Sequence, residues 1–351
     1  MKNLLALGAS ALCLGAMPGA LAAQDDADGV RMTWFGITNW FYEFGDTGVL
    51  VDGVVSPFSE DDAKPDPNQV ARVLEAMDRG TGVDMIFVGH DHTDHTFDTV
   101  EWARQTGAPV YTSAVACEGM ISNGLPEDQC TSVYGGETID VDADTTVRVV
   151  RWSHSFRCDA DSNGGTEGIE TFGFLFKHET TDGPVSWFMT DSGAGGPELV
   201  TNRIVNGTDY GAPLANLADA VRDADLSGFD LWQGGPESRV VNQARVLVPV
   251  FDIKYFMPQH YGARGGFNLD TGLHYAFDTA EMPKLTALME AREVEPFVSR
   301  NFFDAYVYSA SGLERVDNAE VKTALGLPAS GPGPTEQGPN PRAGELECAQ
   351  D

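Results

Sequence analysis

The sequence predicts an α/β protein of layered sheets and helices, and three observations lead to this fold class. Apolar runs of strand length alternate with helical segments in both halves of the chain. Glycine is frequent, with 39 among 351 residues, which is typical of a fold with many tight turns. Hydrophobic residues make up 42% of the chain, enough for a large core. We expect one main domain at residues 23–329.

Strand and helix patterns follow each other along the first half. Residues 30–56 alternate apolar and polar side chains and are broken by glycines, which predicts a meander of strands. The helix that follows has one apolar stripe, and Asn68 is the expected residue at its N-terminal cap. The remaining elements of this half are a helix at residues 68–79, a strand at 85–88, a helix at 96–106 and a strand at 110–112.

The second half continues in the same way up to a tail at residues 330–351, which begins with a Gly/Pro-rich and irregular stretch. The turn at residues 179–183 joins two strands into a hairpin. Strands are predicted at residues 146–150, 171–178, 185–190, 229–232 and 255–257, and helices at 214–223 and 279–292.

Residues 1–22 have the pattern of a signal peptide for export. Lys2 gives a positive start, an apolar stretch follows, and Ala20-Leu21-Ala22 provides the small residues of a cleavage site. The apolar stretch is short for a membrane span, which disfavours the alternative of a retained anchor. We therefore expect a periplasmic or secreted protein with no stable membrane anchor.

The charge of the chain is strongly acidic, with 22 Lys and Arg against 53 Asp and Glu and a net charge of −31. Such a surface repels phosphate backbones, so we expect no nucleic acid among the partners. A solvated acidic surface with no dedicated macromolecular partner is the simplest interpretation. A small-molecule substrate fits this surface, and the sequence indicates no particular oligomeric state.

Four cysteines follow the signal peptide: Cys117, Cys130, Cys158 and Cys348. An even number in an exported chain permits disulfides, and four thiols allow three pairings. We favour Cys117 with Cys130, because they are close in sequence and flank one loop, which leaves Cys158 for Cys348. None lies in a CxxC pattern, so no cysteine metal site is expected.

One polar run contains three of the seven histidines of the chain, and it follows Gly89 at the end of a predicted strand. Two of its histidines are two residues apart and suit one metal ion, whereas the last two ligands project differently and suit a second ion. Zinc prefers such nitrogen and oxygen ligands, with manganese and iron as alternatives. The clustering disfavours an ordinary exposed polar turn. The run is His90-Asp91-His92-Thr93-Asp94-His95.

Three more candidate ligands each follow a predicted apolar strand: His154, Asp191 and His260. The ends of several strands can converge at one sheet edge, so we expect these side chains to complete a site for two divalent ions. A carboxylate can bridge two ions, which gives Asp191 a natural role.

Three other residues are left open. His178 lies at a hairpin end, where a solvent-facing histidine is the simpler expectation, and His274 follows no apolar strand. Arg264 follows the last candidate ligand and suits either an anionic substrate group or a surface ion pair.

The order of these ligands resembles that of the metallo-β-lactamase superfamily over nearly the whole mature chain. Segments 34–36, 49–53 and 257–262 are similar to the branch that includes ascorbate-phosphate lactonase and N-acylphosphatidylethanolamine phospholipase D. Two features depart from that branch. Gly53 follows Asp52 where the branch has proline, and an acidic insert occupies residues 158–170.

The resemblance implies a four-layered αβ/βα sandwich with the site at one edge of its sheets. It also implies that Asp52 orients the ligands. The ligand sets that it implies are His90, His92 and His154 for one ion and Asp94, His95 and His260 for the other, with Asp191 bridging both.

The expected function is that of an exported hydrolase that uses a hydroxide bridging two metal ions. The bond cleaved would be an ester, lactone, amide or phosphodiester in a small molecule, with Asp94 as the catalytic residue that holds the hydroxide. A β-lactam hydrolase is one alternative, although no Lys or Ser is evident for the lactam carboxylate. A non-catalytic exported metal-binding protein is another. Di-iron redox chemistry is disfavoured because the chain carries no flavodoxin-like extension.

Overall fold

The structure is a computed structural model that describes most of the chain between Asp28 and Leu327. Its described residues are 28–58, 63–154, 169–192, 196–235, 240–260, 274–275, 282–327 and 335–336. The signal peptide, the Cys158–Cys348 pair and Arg264 lie outside these ranges and stay predictions. The same holds for the tail at residues 330–351, apart from the strand Thr335–Glu336.

The described strands form two large sheets and two small ones. In chain order they are β1 (Gly29–Trp34), β2 (Trp40–Phe44), β3 (Thr47–Val51), β4 (Met85–Phe87), β5 (Val110–Thr112), β6 (Cys130–Ser132), β7 (Thr138–Asp140), β8 (Thr145–Arg151), β9 (Phe172–Thr180), β10 (Gly183–Thr190), β11 (Arg203–Val205), β12 (Thr208–Gly211), β13 (Leu231–Gly234), β14 (Tyr255–Pro258), β15 (His274–Tyr275), β16 (Glu295–Pro296), β17 (Asp304–Ser309), β18 (Gly312–Val316) and β19 (Thr335–Glu336).

The helices of the described residues are mostly short, and none is long and apolar enough to span a membrane. A single 3₁₀ turn at Glu127–Gln129 adds to them. In chain order they are α1 (Pro67–Met77), α2 (Thr93–Thr96), α3 (Thr99–Thr106), α4 (Ala114–Ser122), α5 (Gly196–Leu199), α6 (Pro213–Asp223), α7 (Val240–Phe251), α8 (Met282–Glu290) and α9 (Ala319–Ala324).

The two large sheets are mixed. One has eight strands in the order β18-β17-β1-β2-β3-β4-β5-β6, and the other has seven in the order β16-β14-β13-β10-β9-β8-β7. The predicted meander is present as antiparallel β1, β2 and β3, after which β4, β5 and β6 continue in parallel. In the other sheet β10, β13 and β14 are parallel to one another.

The sheets face each other across a layer of aromatic side chains. The Phe87 ring of β4 lies 5.1 Å from the Phe174 ring of β9, and the Tyr42 ring of β2 lies 5.2 Å from that of Phe176 and 5.3 Å from that of Trp187. Helices pack outside this layer: α6 contacts β8 and β9, α1 contacts α3 and α9, and α7 contacts α8. The predicted layered α/β fold is therefore confirmed.

Two predicted helix boundaries were wrong. The first helix begins at Pro67, and its cap is Asp66, whose carboxylate accepts a hydrogen bond from the backbone nitrogen of Asn68 at 2.9 Å. The helix predicted at residues 96–106 is two helices, because Asp98 interrupts it. The Asp98 carboxylate accepts hydrogen bonds from the backbone nitrogens of Val55 and Ser56, each at 2.7 Å, and so serves another loop.

The favoured disulfide is confirmed. Cys117 of α4 is bonded to Cys130 at the start of β6, with a Cα–Cα distance of 5.8 Å. The bond ties a helix to the edge strand of the eight-stranded sheet, at the end of the sheet that carries the parallel strands.

Candidate metal centre

The candidate ligands are carried on the ends of strands from both large sheets. His90 follows β4 in the eight-stranded sheet, whereas His154, Asp191 and His260 follow β8, β10 and β14 in the other. Since β9 is antiparallel to both β8 and β10, the strands β8, β10 and β14 run in the same direction. Their C-terminal ends therefore meet at one edge of the sheet.

The short helix α2 positions the rest of the polar run. His92 is the residue before its first turn, and its backbone oxygen accepts a hydrogen bond from the backbone nitrogen of His95 at 3.0 Å. The turn brings His95 back into the interior, where both His90 and His95 are fully buried. Asp94 stays at the mouth, with 31% of its side chain exposed.

All seven predicted ligands lie in one cluster. Within it are three groups of candidate donor atoms, each of which fits inside 4.8 Å. The central group shares His90 with one neighbouring group and His95 with the other. Two groups have the membership that the resemblance implied, and the third lies between them and includes Asp191. The groups are His90, His92 and His154; His90, His95 and Asp191; and Asp94, His95 and His260.

Short distances separate the nitrogen and oxygen atoms of the ligand side chains in this cluster. Nδ1 of His90 lies 3.0 Å from Oδ2 of Asp191, and the same oxygen lies 3.8 Å from Nδ1 of His95. Oδ2 of Asp94 lies 3.5 Å from Nε2 of His95 and 3.4 Å from Nε2 of His260. Asp191 thus lies between the two ligand sets, as a bridging carboxylate requires.

The buried donor atoms fit divalent metal ions. Nε2 of His90, Nε2 of His95 and Oδ1 of Asp191 are buried and have no hydrogen-bond partner among the described residues. Buried polar atoms in proteins are normally paired, so three orphans in one cluster indicate a ligand of another kind. Imidazole nitrogens and carboxylate oxygens together suit zinc, manganese or iron.

The electrostatics of the cluster also favour cations. Burial raises the pKa of Asp52 to about 7 and that of Asp191 to about 6, although the His95 imidazole opposes both shifts. Burial lowers the pKa of His95, but the carboxylates of Asp94, Asp52 and Asp191 outweigh it and raise this pKa to about 9. Burial lowers the pKa of His90 well below its usual range, so this imidazole is neutral and free to bind metal.

Asp94 differs from the two buried carboxylates. Burial raises its pKa, but the neighbouring His95 and His260 imidazoles outweigh that effect, and the pKa lies well below the usual range. Asp94 is therefore an ionised carboxylate at the mouth of the cluster, where it can accept hydrogen bonds from an approaching molecule.

A second layer of side chains holds the ligands. Oδ2 of Asp52 lies 2.8 Å from Nδ1 of His95, and the Thr38 hydroxyl donates a hydrogen bond to the same oxygen. Asp52 thus contacts a ligand as the resemblance implied. Thr38 was missed in the sequence because its contact with His95 spans 57 positions and no local pattern marks it.

Gln259 is a second residue that sequence reasoning missed. It is fully buried, its side-chain oxygen accepts a hydrogen bond from Nε1 of Trp40 at 2.7 Å, and its amide nitrogen donates to the backbone oxygen of Thr190. It therefore joins β2 to the chain segments that carry Asp191 and His260. Its position beside His260 was the only signal in the sequence.

Of the histidines left open, His178 lies outside the three ligand groups of the described residues. His178 is half-buried, with Nδ1 at 2.8 Å from the Thr145 hydroxyl and its ring at 5.4 Å from that of Phe44. His274 lies in the short strand β15, which pairs with β19. Neither observation gives these residues a role at the site.

Comparisons with known proteins agree with this geometry. Residues 47–209 match the model of the beta-lactamase superfamily domain. A UPF0173 metal-dependent hydrolase of Halobacterium salinarum is 25% identical over 250 residues, which cover 69% of this chain and 87% of that protein. A UPF0173 metal-dependent hydrolase of Methylobacterium nodulans is 34% identical over 96 residues, 27% of this chain and 37% of that protein.

Among solved structures, a possible metal-dependent hydrolase from Veillonella parvula shares the fold. Its TM-score is 0.50 at 12% identity, and the match covers 79% of this chain and 98% of that one. The nearer resemblance to the lactonase and phospholipase D branch stays a prediction. The predicted resemblance to the superfamily is confirmed by the match at residues 47–209, and the chain is an enzyme of the metal-dependent hydrolase class.

Proposed function

We propose that this chain is an exported hydrolase that binds two divalent metal ions, preferably zinc, and cleaves an ester, lactone, amide or phosphodiester bond in a small molecule. One observation carries the proposal. Two sets of three donor groups meet around a central group that contains the buried carboxylate of Asp191. A single structural ion needs about four ligands, so seven converging ligands favour a pair.

The accessible side of the cluster indicates where a substrate would approach. The side chains of Asp94 and His260 are 31% and 28% exposed, whereas those of His95 and Asp191 are fully buried. A pair of divalent ions, when bound, supplies an activated water at neutral pH and offsets charge that develops on the attacked bond. The ionised Asp94 carboxylate would accept a hydrogen bond from that water and orient it toward the substrate.

Two features of the whole chain narrow the substrate and the compartment. The net charge of −31 disfavours nucleic acid and supports a small molecule. The signal pattern at residues 1–22 and the Cys117–Cys130 disulfide both support export, because disulfides persist in oxidising compartments.

The test is metal removal and restoration on mature protein purified from the periplasm, which should begin at residue 23 by mass spectrometry. Chelation should abolish hydrolysis of a panel of chromogenic esters, lactones, phosphodiesters and amides, and two equivalents of zinc should restore it. His92→Ala should lose bound zinc and at least 100-fold in kcat/KM. His178→Ala is the matched control, since His178 lies outside the cluster.

Hydrolysis that survives complete metal removal would contradict the proposed mechanism. Protein that binds two zinc ions but hydrolyses nothing in the panel would favour a non-catalytic metal-binding protein. A precursor that stays in the cytoplasm with residues 1–22 attached would refute export.

A further inference from the structure

We propose that Thr38 is a positioning residue that controls binding at one of the two ion sites, the set of Asp94, His95 and His260. The inference rests on the proposed function, since it concerns the metal pair of that site. Thr38 is fully buried and touches both Asp52 and His95. Its hydroxyl contacts Asp52 and the candidate ligand His95, so it acts on the ion site through these neighbours.

The contacts of Thr38 fix the orientation of His95. The Thr38 hydroxyl donates to Oδ2 of Asp52, and its oxygen lies 2.9 Å from Nδ1 of His95. Nδ1 of His95 lies 2.8 Å from the same Asp52 oxygen. With Nδ1 held by Asp52 and Thr38, the ring directs Nε2 toward Asp94 of the same ligand set at 3.5 Å, and Nε2 is the nitrogen that lies buried without a hydrogen-bond partner among the described residues.

The turn that contains Thr38 also holds the second histidine of the same set. The backbone oxygen of Ile37 accepts a hydrogen bond from the backbone nitrogen of His260 at 2.9 Å. His260 has a φ of 68°, and Ile37 has a φ of 45°, both in the left-handed region that non-glycine residues seldom occupy. Such backbone conformations persist only where surrounding contacts impose them, so this hydrogen bond helps to fix His260.

Asn39, the next residue after Thr38, holds the segment that follows Asp52. Its side-chain oxygen accepts hydrogen bonds from the backbone nitrogens of Gly53 and Val54, each at 2.9 Å, and its amide nitrogen donates to the backbone oxygen of Val54 at 2.9 Å. Asp52 itself has a φ of 60°. Consecutive residues of one turn therefore fix His260, His95 and Asp52.

The consequence is a selective effect on metal binding. The turn contacts two of the three ligands in the Asp94, His95 and His260 set. In the other set, His92 precedes the first turn of α2 and His154 follows β8. Loss of the Thr38 hydroxyl should weaken the affinity for one zinc ion by about 10- to 100-fold, the usual scale for such supporting contacts. The affinity for the other zinc ion should stay nearly unchanged.

The experiment measures zinc affinity and stoichiometry directly by competition with a chromophoric chelator, with the full mature protein. Thr38→Val removes the hydroxyl and keeps the branched shape, and Thr38→Ala is a second variant that removes the hydroxyl without adding a methyl group in its place. Thr38→Ser keeps the hydroxyl and should restore wild-type binding. Thr112→Val is the matched control, because Thr112 is also fully buried but its hydroxyl has no partner among the described residues. Unfolding of each metal-free variant is followed by circular dichroism.

The inference is supported if Thr38→Val binds the first equivalent normally and the second 10- to 100-fold more weakly, while the serine and Thr112 variants bind both as the wild type does. Equal weakening of both equivalents, unchanged binding of both, or failure of Thr38→Val and Thr38→Ala to fold overturns it. Wild-type protein that binds no zinc contradicts the proposed function instead, so the two failures are distinguishable.

Discussion

At the scale of single residues, Gly89 leaves the space that the carboxylate of Asp191 occupies. It precedes the first ligand, and a Cβ atom built on it would lie 2.4 Å from the carboxylate of Asp191. Its backbone oxygen accepts a hydrogen bond from the backbone nitrogen of Phe172 at 2.9 Å, so the backbone is held from the other sheet. The Asp191 carboxylate would therefore have to shift to make room for a Cβ atom.

Gly89→Ala should therefore displace Asp191 from between the two ligand sets. We expect the variant to bind at least one zinc ion fewer, which metal analysis would measure. We also expect kcat/KM to fall by about 100-fold or more with the best substrate of the panel. Gly82→Ala is the matched control, since a Cβ atom at Gly82 would meet nothing within 4 Å. Full zinc content and full activity in the Gly89 variant would mean that Asp191 does not need its present position.

The seven ligands could be predicted because each has a local signature. His90 to His95 are clustered in sequence, and the other three each follow an apolar strand. Thr38 and Gln259 could not be predicted, because their roles depend on partners 57 and 69 positions away. A buried threonine or glutamine beside a strand has no pattern that distinguishes support of a metal site from ordinary packing.

At the scale of elements, α9 is attached to the eight-stranded sheet through a buried ionic cluster on β17. Asp304 accepts hydrogen bonds from Nζ of Lys322 at 2.8 Å, from Nη1 of Arg315 at 2.6 Å and from the backbone nitrogen of Arg300 at 2.8 Å. Burial raises the pKa of Asp304, but Lys322, this backbone contact and Arg315 outweigh it and lower the pKa below 3.8.

Asp304→Asn should destabilise the protein by roughly 3 kcal/mol, because it leaves the buried Lys322 ammonium without its charge partner. A carboxylate with a lowered folded-state pKa stabilises the protein above its unfolded pKa and loses that effect as pH falls through the folded value. Wild-type stability should therefore drop more steeply below about pH 4 than that of the variant.

Urea unfolding at pH 7 and at pH 3 measures both effects. Asp219→Asn is the control, since its ion pair with Arg222 is exposed and is expected to contribute less than about 1 kcal/mol. Equal stability losses in the two variants at pH 7 would contradict the importance of the buried cluster.

Elements with one clear periodicity could be predicted, and those that depend on long-range pairing could not. The meander and the β9–β10 hairpin follow from alternation and turn residues. The helix α7 was missed because its valines and Pro249 favour other structures, and burial overrides that preference. Strand β17 was missed because it is defined by pairing with β1, more than 270 positions earlier.

At the scale of the whole molecule, the metal centre lies where the two large sheets meet. His90 and His95 belong to the segment after β4 of the eight-stranded sheet, and His154, Asp191 and His260 follow strands of the seven-stranded sheet. The alternation of strand and helix patterns along the sequence predicted the layers. The order of the strands in each sheet could not be predicted from it, because that order depends on interactions between distant segments. Bound ions would therefore join the two sheets in addition to their aromatic packing and the hydrogen bonds between them, such as that of Tyr42 with Gln233.

Metal binding should consequently stabilise the entire described fold and not only its site. Each zinc ion that binds only the folded state adds about 2.7 kcal/mol at a free concentration 100 times its dissociation constant. Zinc should therefore raise Tm by on the order of 5 °C or more over chelated protein. Calcium is the control ion, because it prefers all-oxygen ligands and five of the seven candidate ligands are imidazoles. Calorimetry in zinc, calcium and chelator measures the three Tm values. An unchanged Tm in zinc, or an equal rise in calcium, would mean that the cluster does not join the sheets through a bound transition metal.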